Sequence, residues 1–203
     1  PIADADHSPI SFERIAAFPP PGWQVPRSVK IAPSGKLITF LQSESGGEEM
    51  ALFAIEPGGA PRVLLRATDL IDPNRPMSRE EELRRERQRS RIQGVTSYAW
   101  AERADVLLLA LGGDIFLRTE SGEIRQLTSS PEPDIDPQLC ADGSQVAFVR
   151  GRELYVAGLA SGSERALTRG ASEGVTRGLS DFNGQEEFAE PSGLWWSPGC
   201  DRL

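Results

Sequence analysis

Residues 114–128 read DIFLRTESGEIRQLT, and residues 153–168 read ELYVAGLASGSERALT. Each stretch is a short β-rich segment, a Ser-Gly turn and a second short segment ending in Leu-Thr, and the leucines Leu127 and Leu167 stand 40 residues apart. A looser copy lies at residues 52–59. Short strands separated by glycine turns at a period near 40 residues are typical of the four-stranded blades of a β-propeller, in which each blade buries its faces against its neighbours.

A second repeated unit, a strand end followed by a tight turn and another strand, indicates how many blades the chain holds. It occurs at four places, namely residues 31–40, 100–107, 139–146 and 196–203. Its turn-equivalent positions are Gly35, Ala104, Gly143 and Cys200, separated by 69, 39 and 57 residues. Two of these spacings exceed one blade, so each of them must contain an insertion. We therefore predict an all-β fold with about three to four propeller blades over residues 31–203, preceded by a leading segment at 1–30.

The first insertion contains a charged run, SREEELRRERQR at residues 78–89. A Ser-x-x-Glu capping box opens the run, and acidic residues fill its first turn while basic residues fill its last, so we predict a short arginine-bearing helix. Leu83 is its only apolar residue, which leaves no stripe for docking on a core. Two interpretations stay open: a solvated helix held by its own ion pairs, or a helix whose Arg85 and Arg89 present a guanidinium to a ligand.

The second insertion, DFNGQEEF at residues 181–188, sets two glutamates side by side ahead of an aromatic strand that begins at Trp195-Trp196. Adjacent carboxylates, here Glu186 and Glu187, repel each other, and a bound cation such as an amine relieves the repulsion. The alternative is an exposed charge pair without a role, which is common on protein surfaces. We interpret the two tryptophans as blade core rather than as a platform for a ligand.

The composition limits the kinds of partner. With 203 residues, 38% of them hydrophobic, the chain is long enough to bury a core. Its formal net charge of −8 argues against a nucleic-acid surface, because phosphate binding depends on an excess of lysine and arginine. No apolar run approaches the ~20 residues that a membrane span needs, so we expect no membrane-spanning segment.

The cysteine and histidine content restricts the chemistry. Cys140 and Cys200 are too few for a disulfide framework and lack metal-site spacing, so we interpret both as small buried residues and predict no metal or other cofactor. The only histidine, His7, lies in a polar N-terminal segment. A Ser-His-Asp or Cys-His arrangement needs an imidazole held by a folded scaffold. We therefore predict no catalytic residue in this chain and no nucleophilic catalysis by the chain alone.

Several motifs, taken in order, resemble the N-terminal propeller of dipeptidyl peptidase IV-type serine peptidases of the prolyl oligopeptidase class. They are the charged run at 78–89, GVTSY at 94–98, QEEF at 185–188 and WWSP at 195–198. The resemblance runs from about residue 30 to the end of the chain. The departures from the family pattern are Leu194, where tyrosine is usual, Glu190, where a basic residue is usual, and Asn183-Gly184, which replace apolar residues.

In that family an eight-bladed propeller covers a C-terminal α/β-hydrolase domain, which we do not expect within these 203 residues. The family's enzymes release dipeptides from a free N-terminus, with proline or alanine in second place. The resemblance implies that Glu186 and Glu187 bind the α-ammonium group of a peptide substrate, and that Arg89, or Arg85 one turn away, binds the carbonyl of its first peptide unit. It also implies a homodimeric full-length enzyme and a periplasmic or secreted location, with the cytoplasm as the alternative.

The competing hypothesis is a stand-alone TolB-like β-propeller binding protein without catalysis. Repeats of that kind share the Pro-Asp-Gly-like turn but need neither the arginine-bearing helix nor the Glu-Glu insertion. Both insertions occur here in the order found in the peptidase family, so we favour a substrate-selecting propeller.

Overall fold

Three antiparallel sheets make up most of the regular structure in the computed structural model of the chain, which describes residues 10–17, 22–72, 91–188, 190 and 192–203. In each sheet four consecutive strands pair in chain order as a meander. The prediction of an all-β fold built from four-stranded propeller blades is confirmed.

The strands follow the chain from sheet to sheet. The first sheet contains β1 (Arg27–Ile31), β2 (Ile38–Gln42), β3 (Glu49–Ile55) and β4 (Arg62–Leu65), with a short strand, β5 (Gln93–Gly94), parallel to β3. The second contains β6 (Tyr98–Trp100), β7 (Leu107–Leu111), β8 (Asp114–Arg118) and β9 (Ile124–Gln126). The third contains β10 (Ile135–Leu139), β11 (Gln145–Arg150), β12 (Glu153–Gly158) and β13 (Glu164–Ala166).

Helical structure is sparse in the described ranges. It consists of two five-residue α-helices, α1 (Phe12–Ala16) and α2 (Phe182–Glu186), and one 3-10 turn at Ala67–Asp69. The predicted arginine-bearing helix at 78–89 lies outside the described residues. Among the helices that the structure describes, none is long and apolar enough to cross a membrane.

One hydrogen-bond pattern closes all four turns of the second repeated unit. In each turn a backbone N–H donates to the carbonyl five residues later, at 2.8 to 3.0 Å, and the pairs are Ala32 to Leu37, Ala101 to Val106, Cys140 to Gln145 and Ser197 to Arg202. The fourth turn lies beyond the third sheet. The described chain therefore holds three four-stranded blades followed by the opening turn of another.

The repeated Leu-Thr pairs have a structural reason. In the second sheet the N–H of Leu127 donates to the carbonyl of Ile115 at 2.8 Å, and the hydroxyl of Thr128 accepts from the Ile115 N–H at 2.9 Å. An identical pair of bonds recurs around Leu154 in the third sheet. Each Leu-Thr pair thus continues the pairing of the outermost strand at the point where the regular ladder ends.

The hydrophobic core lies between successive sheets. Within β7, Leu107 and Leu109 are buried in one cluster with Leu52 of the first sheet, whereas Leu108 is buried in another with Phe148 of the third sheet. Neighbouring strand residues point to opposite faces, so a sheet covered on both sides carries apolar residues at consecutive positions. The sequence LLLAL of β7 meets this requirement.

Polar contacts add to the packing between the first two sheets. The indole N–H of Trp100 donates to the Thr39 hydroxyl at 2.9 Å, and the hydroxyl of Tyr98 donates to the carbonyl of Ser28 at 2.6 Å. Thr39 is fully buried and Tyr98 nearly so. Because a buried polar group without a partner is costly, these bonds fix the register between the two blades.

The loop that follows the third sheet is tied back to that sheet by Glu153, the first residue of β12. The carboxylate of Glu153 accepts from the Thr168 hydroxyl and from the Ala171 N–H, each at 2.5 Å, and lies 3.7 Å from the Arg177 guanidinium. The N–H of Arg177 also donates to the Arg152 carbonyl at 3.0 Å. The Thr168 hydroxyl, the Ala171 N–H and the charge of Arg177 hold the pKa of Glu153 below its usual value.

We predict that Phe148→Ala lowers the free energy of unfolding by about 3–5 kcal/mol, because it opens a cavity between the second and third sheets. Phe148 is fully buried and stacks on Tyr155 with 5.7 Å between ring centroids. Equilibrium denaturation in urea measures the loss. Phe182→Ala, the same substitution at a side chain that is 67% exposed, is the control and is expected to change the free energy by less than about 0.5 kcal/mol. Equal effects of the two substitutions would contradict this assignment of the core.

We predict that Glu153→Gln loosens the loop at 168–180, so that trypsin cleaves faster after Arg169 and Arg177. A carboxyl whose pKa is lowered on folding stabilises the fold above its unfolded pKa, and this contribution is lost as the pH falls through the lowered value. The melting temperature of the wild type should therefore fall more steeply on acidification below about pH 5 than that of the variant. The control is Glu120→Gln at an exposed turn. Equal cleavage rates and equal pH profiles in both variants would show that Glu153 does not hold the loop.

Candidate functional site

The Glu-Glu insertion, residues 181–188, is held at its base by a narrow pairing of the chain with itself. Leu179 and Ser192 form an antiparallel bridge, and the N–H of Gly193 donates to the Gly178 carbonyl at 3.1 Å. The hydroxyl of Ser180 adds a bond to the carbonyl of Ser192 at 2.8 Å. The two ends of the insertion are therefore fixed against each other before it leaves the third blade.

Gly193 and Leu194 dock this base on the third sheet. A Cβ at Gly193 would lie 2.7 Å from the Leu179 carbonyl carbon, so only glycine allows the two segments to approach this closely. Leu194 is buried in one cluster with Ala147 and Val149. The departure from the usual family tyrosine at Leu194 therefore places an aliphatic side chain in the core at this position.

The insertion itself folds as the short helix α2, which begins at an N-cap aspartate. The Asp181 carboxylate accepts from the Gly184 N–H at 2.8 Å, and the Gln185 amide donates to the Ser180 carbonyl at 2.8 Å. A Cβ at Gly184 would lie 2.8 Å from the Ser180 Cβ. The small residue at 184, a departure from the family pattern, is thus required by the close return of the helix onto the base of the insertion.

The two predicted ammonium ligands lie at the C-terminal end of α2. Glu186 is the last residue of the helix and its side chain lies outside the described part, while Glu187 is the C-cap and is exposed. Phe182 and Phe188, also exposed, flank the pair along the chain. The last carbonyls of a helix carry partial negative charge, so this end favours a cation. Arg89 and Arg85, the predicted carbonyl ligands, lie outside the described residues.

The tryptophan pair is divided between core and surface. The Trp196 side chain packs partly buried against the third sheet, and its indole N–H donates to the Gln138 carbonyl at 3.0 Å, as expected for a blade residue. The prediction that Trp195 belongs to the core is wrong, because its side chain is 63% exposed. Consecutive residues of an extended chain point in opposite directions, so only one of the two can face the sheet.

A Gly-x-Ser-x-Gly pattern occurs at residues 170–174. In hydrolases this pattern marks a nucleophile when it forms a sharp turn between a strand and a helix. Here it lies in a loop, since β13 ends at Ala166 and α2 begins at Phe182. The Ser172 carbonyl accepts from the Arg152 guanidinium and from the Val175 N–H, both contacts that hold the loop. Ser172 is therefore not positioned as a nucleophile in the described part of the chain.

Sequence reasoning missed a third group, in which the two cysteines meet a carboxylate. The prediction that Cys140 and Cys200 are buried is confirmed. Their thiols donate to the same oxygen of Asp142, at 2.9 and 3.2 Å. These bonds, with those from Ser144, hold the pKa of Asp142 well below its usual range, and burial raises the pKa of the Cys200 thiol to about 11. The sequence signal that could have revealed the group is a cysteine at the turn position that Gly143 occupies one repeat earlier.

Comparisons with known proteins agree with the architecture. Residues 111–203 match the family model described as the dipeptidyl peptidase IV (DPP IV) N-terminal region. Dipeptidyl peptidase 8 of Homo sapiens is 29% identical over 208 residues, which cover 87% of this chain and 23% of that protein. Dipeptidyl peptidase 8 of Mus musculus is 28% identical over 209 residues, which cover 88% of this chain and 23% of that protein.

The chain thus spans about a quarter of the length of these curated relatives. The matched residues begin at the end of β7 and include β8, β9, the whole third sheet, the base of the Glu-Glu insertion and α2. Residues 111–203 therefore match part of a dipeptidyl peptidase IV N-terminal region, and they fold as four-stranded β-propeller blades.

Proposed function

We propose that the chain is the substrate-selecting propeller portion of a serine dipeptidyl-peptidase that releases N-terminal X-Pro or X-Ala dipeptides. In this proposal Glu186 and Glu187 bind the substrate α-ammonium, and Arg89 binds the carbonyl of the first peptide unit. The observation that carries the proposal is the placement of the Glu-Glu pair at the end of a helix whose base is fixed on a propeller blade. The similarity to dipeptidyl peptidases supports it.

A paired carboxylate site suits an ammonium group on physical grounds. Two adjacent negative charges at the negative end of a helix repel each other, and an ammonium relieves that repulsion while satisfying its three donors with charged acceptors. An N-blocked peptide has no charge to offer and would leave both carboxylates uncompensated. The pair therefore selects for a free N-terminus.

Fixing the ammonium also fixes where a substrate is cut. If a nucleophile stands at a constant distance from the Glu-Glu pair, only the second peptide bond reaches it. If the Glu-Glu pair were on a flexible segment, its distance from the nucleophile would vary. A constant distance requires a stiff support. Two hydrogen bonds stiffen the base of the insertion, one between Gly193 and Gly178 and one between Ser180 and Ser192.

The catalytic groups of the proposed enzyme lie in an α/β-hydrolase domain of the same longer protein, and the enzyme acts as a homodimer in the periplasm or outside the cell. The 203 residues alone are not expected to hydrolyse peptides. The reason is that their single histidine is His7, while Ser172, the serine of the Gly-x-Ser-x-Gly pattern, lies in a loop.

We predict that Glu186→Gln or Glu187→Gln in the full-length enzyme lowers kcat/KM for an X-Pro chromogenic substrate by about 30- to 1000-fold. Each substitution removes one charge-assisted hydrogen bond to the ammonium, a loss of about 2–4 kcal/mol. The double variant should nearly abolish dipeptide release. Hydrolysis of a small activated ester, which makes no use of an amine, should stay at the wild-type rate in all three variants.

The matched control is Glu190→Gln, which removes a neighbouring exposed carboxylate and should leave both activities unchanged. A pair of variants, Arg89→Ala and Arg85→Ala, identifies the carbonyl ligand, because only the loss of that ligand lets the scissile bond move away from the nucleophile. Wild-type kcat/KM for the X-Pro substrate in the Glu186→Gln/Glu187→Gln double variant would show that the pair is a solvated surface feature and would overturn the proposal.

A further inference from the structure

Cys140, Asp142 and Cys200 converge where two successive blade turns touch. Cys140 and Asp142 belong to the turn between β10 and β11, and Cys200 belongs to the turn at 197–202 beyond the third sheet. The two sulfur atoms and a carboxylate oxygen all lie within 4.8 Å of one another. Among the described residues this is the one place where three such ligand atoms come together.

The backbone at Cys200 is unusual for a residue with a side chain. Its φ is +59°, and its N–H donates to the carbonyl three residues back, at Ser197. Gly35 and Gly143 make the equivalent bond in the two corresponding turns, with φ of +71° and +73°. A left-handed conformation disfavours side chains other than glycine, asparagine and aspartate. At this junction the chain therefore holds a thiol in a conformation that two of the other three repeats give to glycine.

Polar groups around the three residues orient them. The N–H of Asp142 donates to the Cys200 sulfur at 3.5 Å, and the N–H of Ser144 donates to the Asp142 carboxylate at 2.9 Å. The amide of Gln145 donates to the Cys200 carbonyl at 3.1 Å. Bonds of this kind position ligand atoms and supplement the ligands of a metal site.

The two cysteines are buried, and Asp142 is exposed to solvent. The Cys140 side chain is fully buried and Cys200 is 5% exposed, whereas Asp142 is exposed. The thiols therefore supply soft ligands shielded from water, and the carboxylate lies on the side from which an ion can arrive. A site with three protein ligands leaves one position of a tetrahedral ion open to water.

We propose that Cys140 Sγ, Cys200 Sγ and Asp142 Oδ1 bind a thiophilic divalent cation of the zinc class. Binding converts both thiols to thiolates and releases two protons, so that a dication meets three negative ligand atoms. Two sulfur ligands favour zinc over magnesium or calcium, which prefer sites made entirely of oxygen.

The bound ion would link the third blade to the turn that follows it. The junction between the first two blades is held by hydrogen bonds instead. There the N–H and the hydroxyl of Ser34 donate to the Asp105 carboxylate. The Glu-Glu insertion lies between Cys140 and Cys200 in the chain, so the ion would also brace the segment that carries it.

The test is a titration of the purified full chain, kept reduced by a non-thiol reductant, with Co²⁺ and then Zn²⁺. We expect one Co²⁺ per chain with the thiolate charge-transfer absorption of a sulfur-ligated ion, displacement by Zn²⁺ and release of two protons. Zn²⁺ should also raise the melting temperature, since it binds the folded state alone.

Cys200→Gly is the decisive variant because glycine suits the backbone there, so the ligand is removed without loss of the turn. It and Cys140→Ser should weaken binding by about 100-fold or more, and Asp142→Asn by at least about 10-fold.

Asp105→Asn is the matched control, since it removes the carboxylate of the other blade junction and should leave Co²⁺ binding unchanged. Absence of the charge-transfer band at stoichiometric Co²⁺ would overturn the proposal. So would wild-type affinity in a Cys200→Gly variant that melts cooperatively. A Cys140–Cys200 disulfide that forms in air, with no metal uptake after its reduction, would show that the pair serves as a covalent crosslink instead.

Discussion

Burial of both faces of each four-stranded sheet is the constraint on which the rest of the structure depends. Leu107 and Leu109 of the second sheet are buried with the first sheet, while Leu108 is buried with the third. A sheet covered on one side only would leave such residues in water, so each blade is stable because another lies against it. The same requirement continues past the third sheet, where Leu194 covers Ala147 and Val149 and so determines where the Glu-Glu insertion leaves the blade.

The candidate ammonium site follows from that packing. Leu194 is fixed by the core, the Gly193–Gly178 bond fixes the base of the insertion, and Asp181 then starts a helix so short that its end lies close to that base. Surface glutamates on a free loop would lose much of their binding free energy to ordering. Here the ordering of the backbone that carries the pair is part of folding, because the base of the insertion and the N-cap of α2 are fixed by their own hydrogen bonds.

Much of the fold could be predicted from the sequence because the repeated turns and Leu-Thr pairs occupy equivalent positions in the packed sheets. The Leu-Thr repeat and the four turns identified the blades, since equivalent positions in the repeats make the same hydrogen bond. What failed depends on contacts distant in the chain. Trp195 and Trp196 are alike in sequence, and only the direction in which each side chain leaves the backbone decides which one packs against the third sheet. The repeat places Cys200 at a turn position, but Cys140 and Cys200 are separated by a whole insertion, so their spacing alone does not show that their thiols share Asp142.

We propose that the propeller selects substrates through the charge of the Glu-Glu pair. The most direct test is a crystal structure of the full-length enzyme with a bound X-Pro dipeptide. We expect the dipeptide nitrogen to lie about 2.7–3.2 Å from a carboxylate oxygen of Glu186 and of Glu187. A dipeptide bound with its ammonium in solvent, or held by other carboxylates, would contradict it.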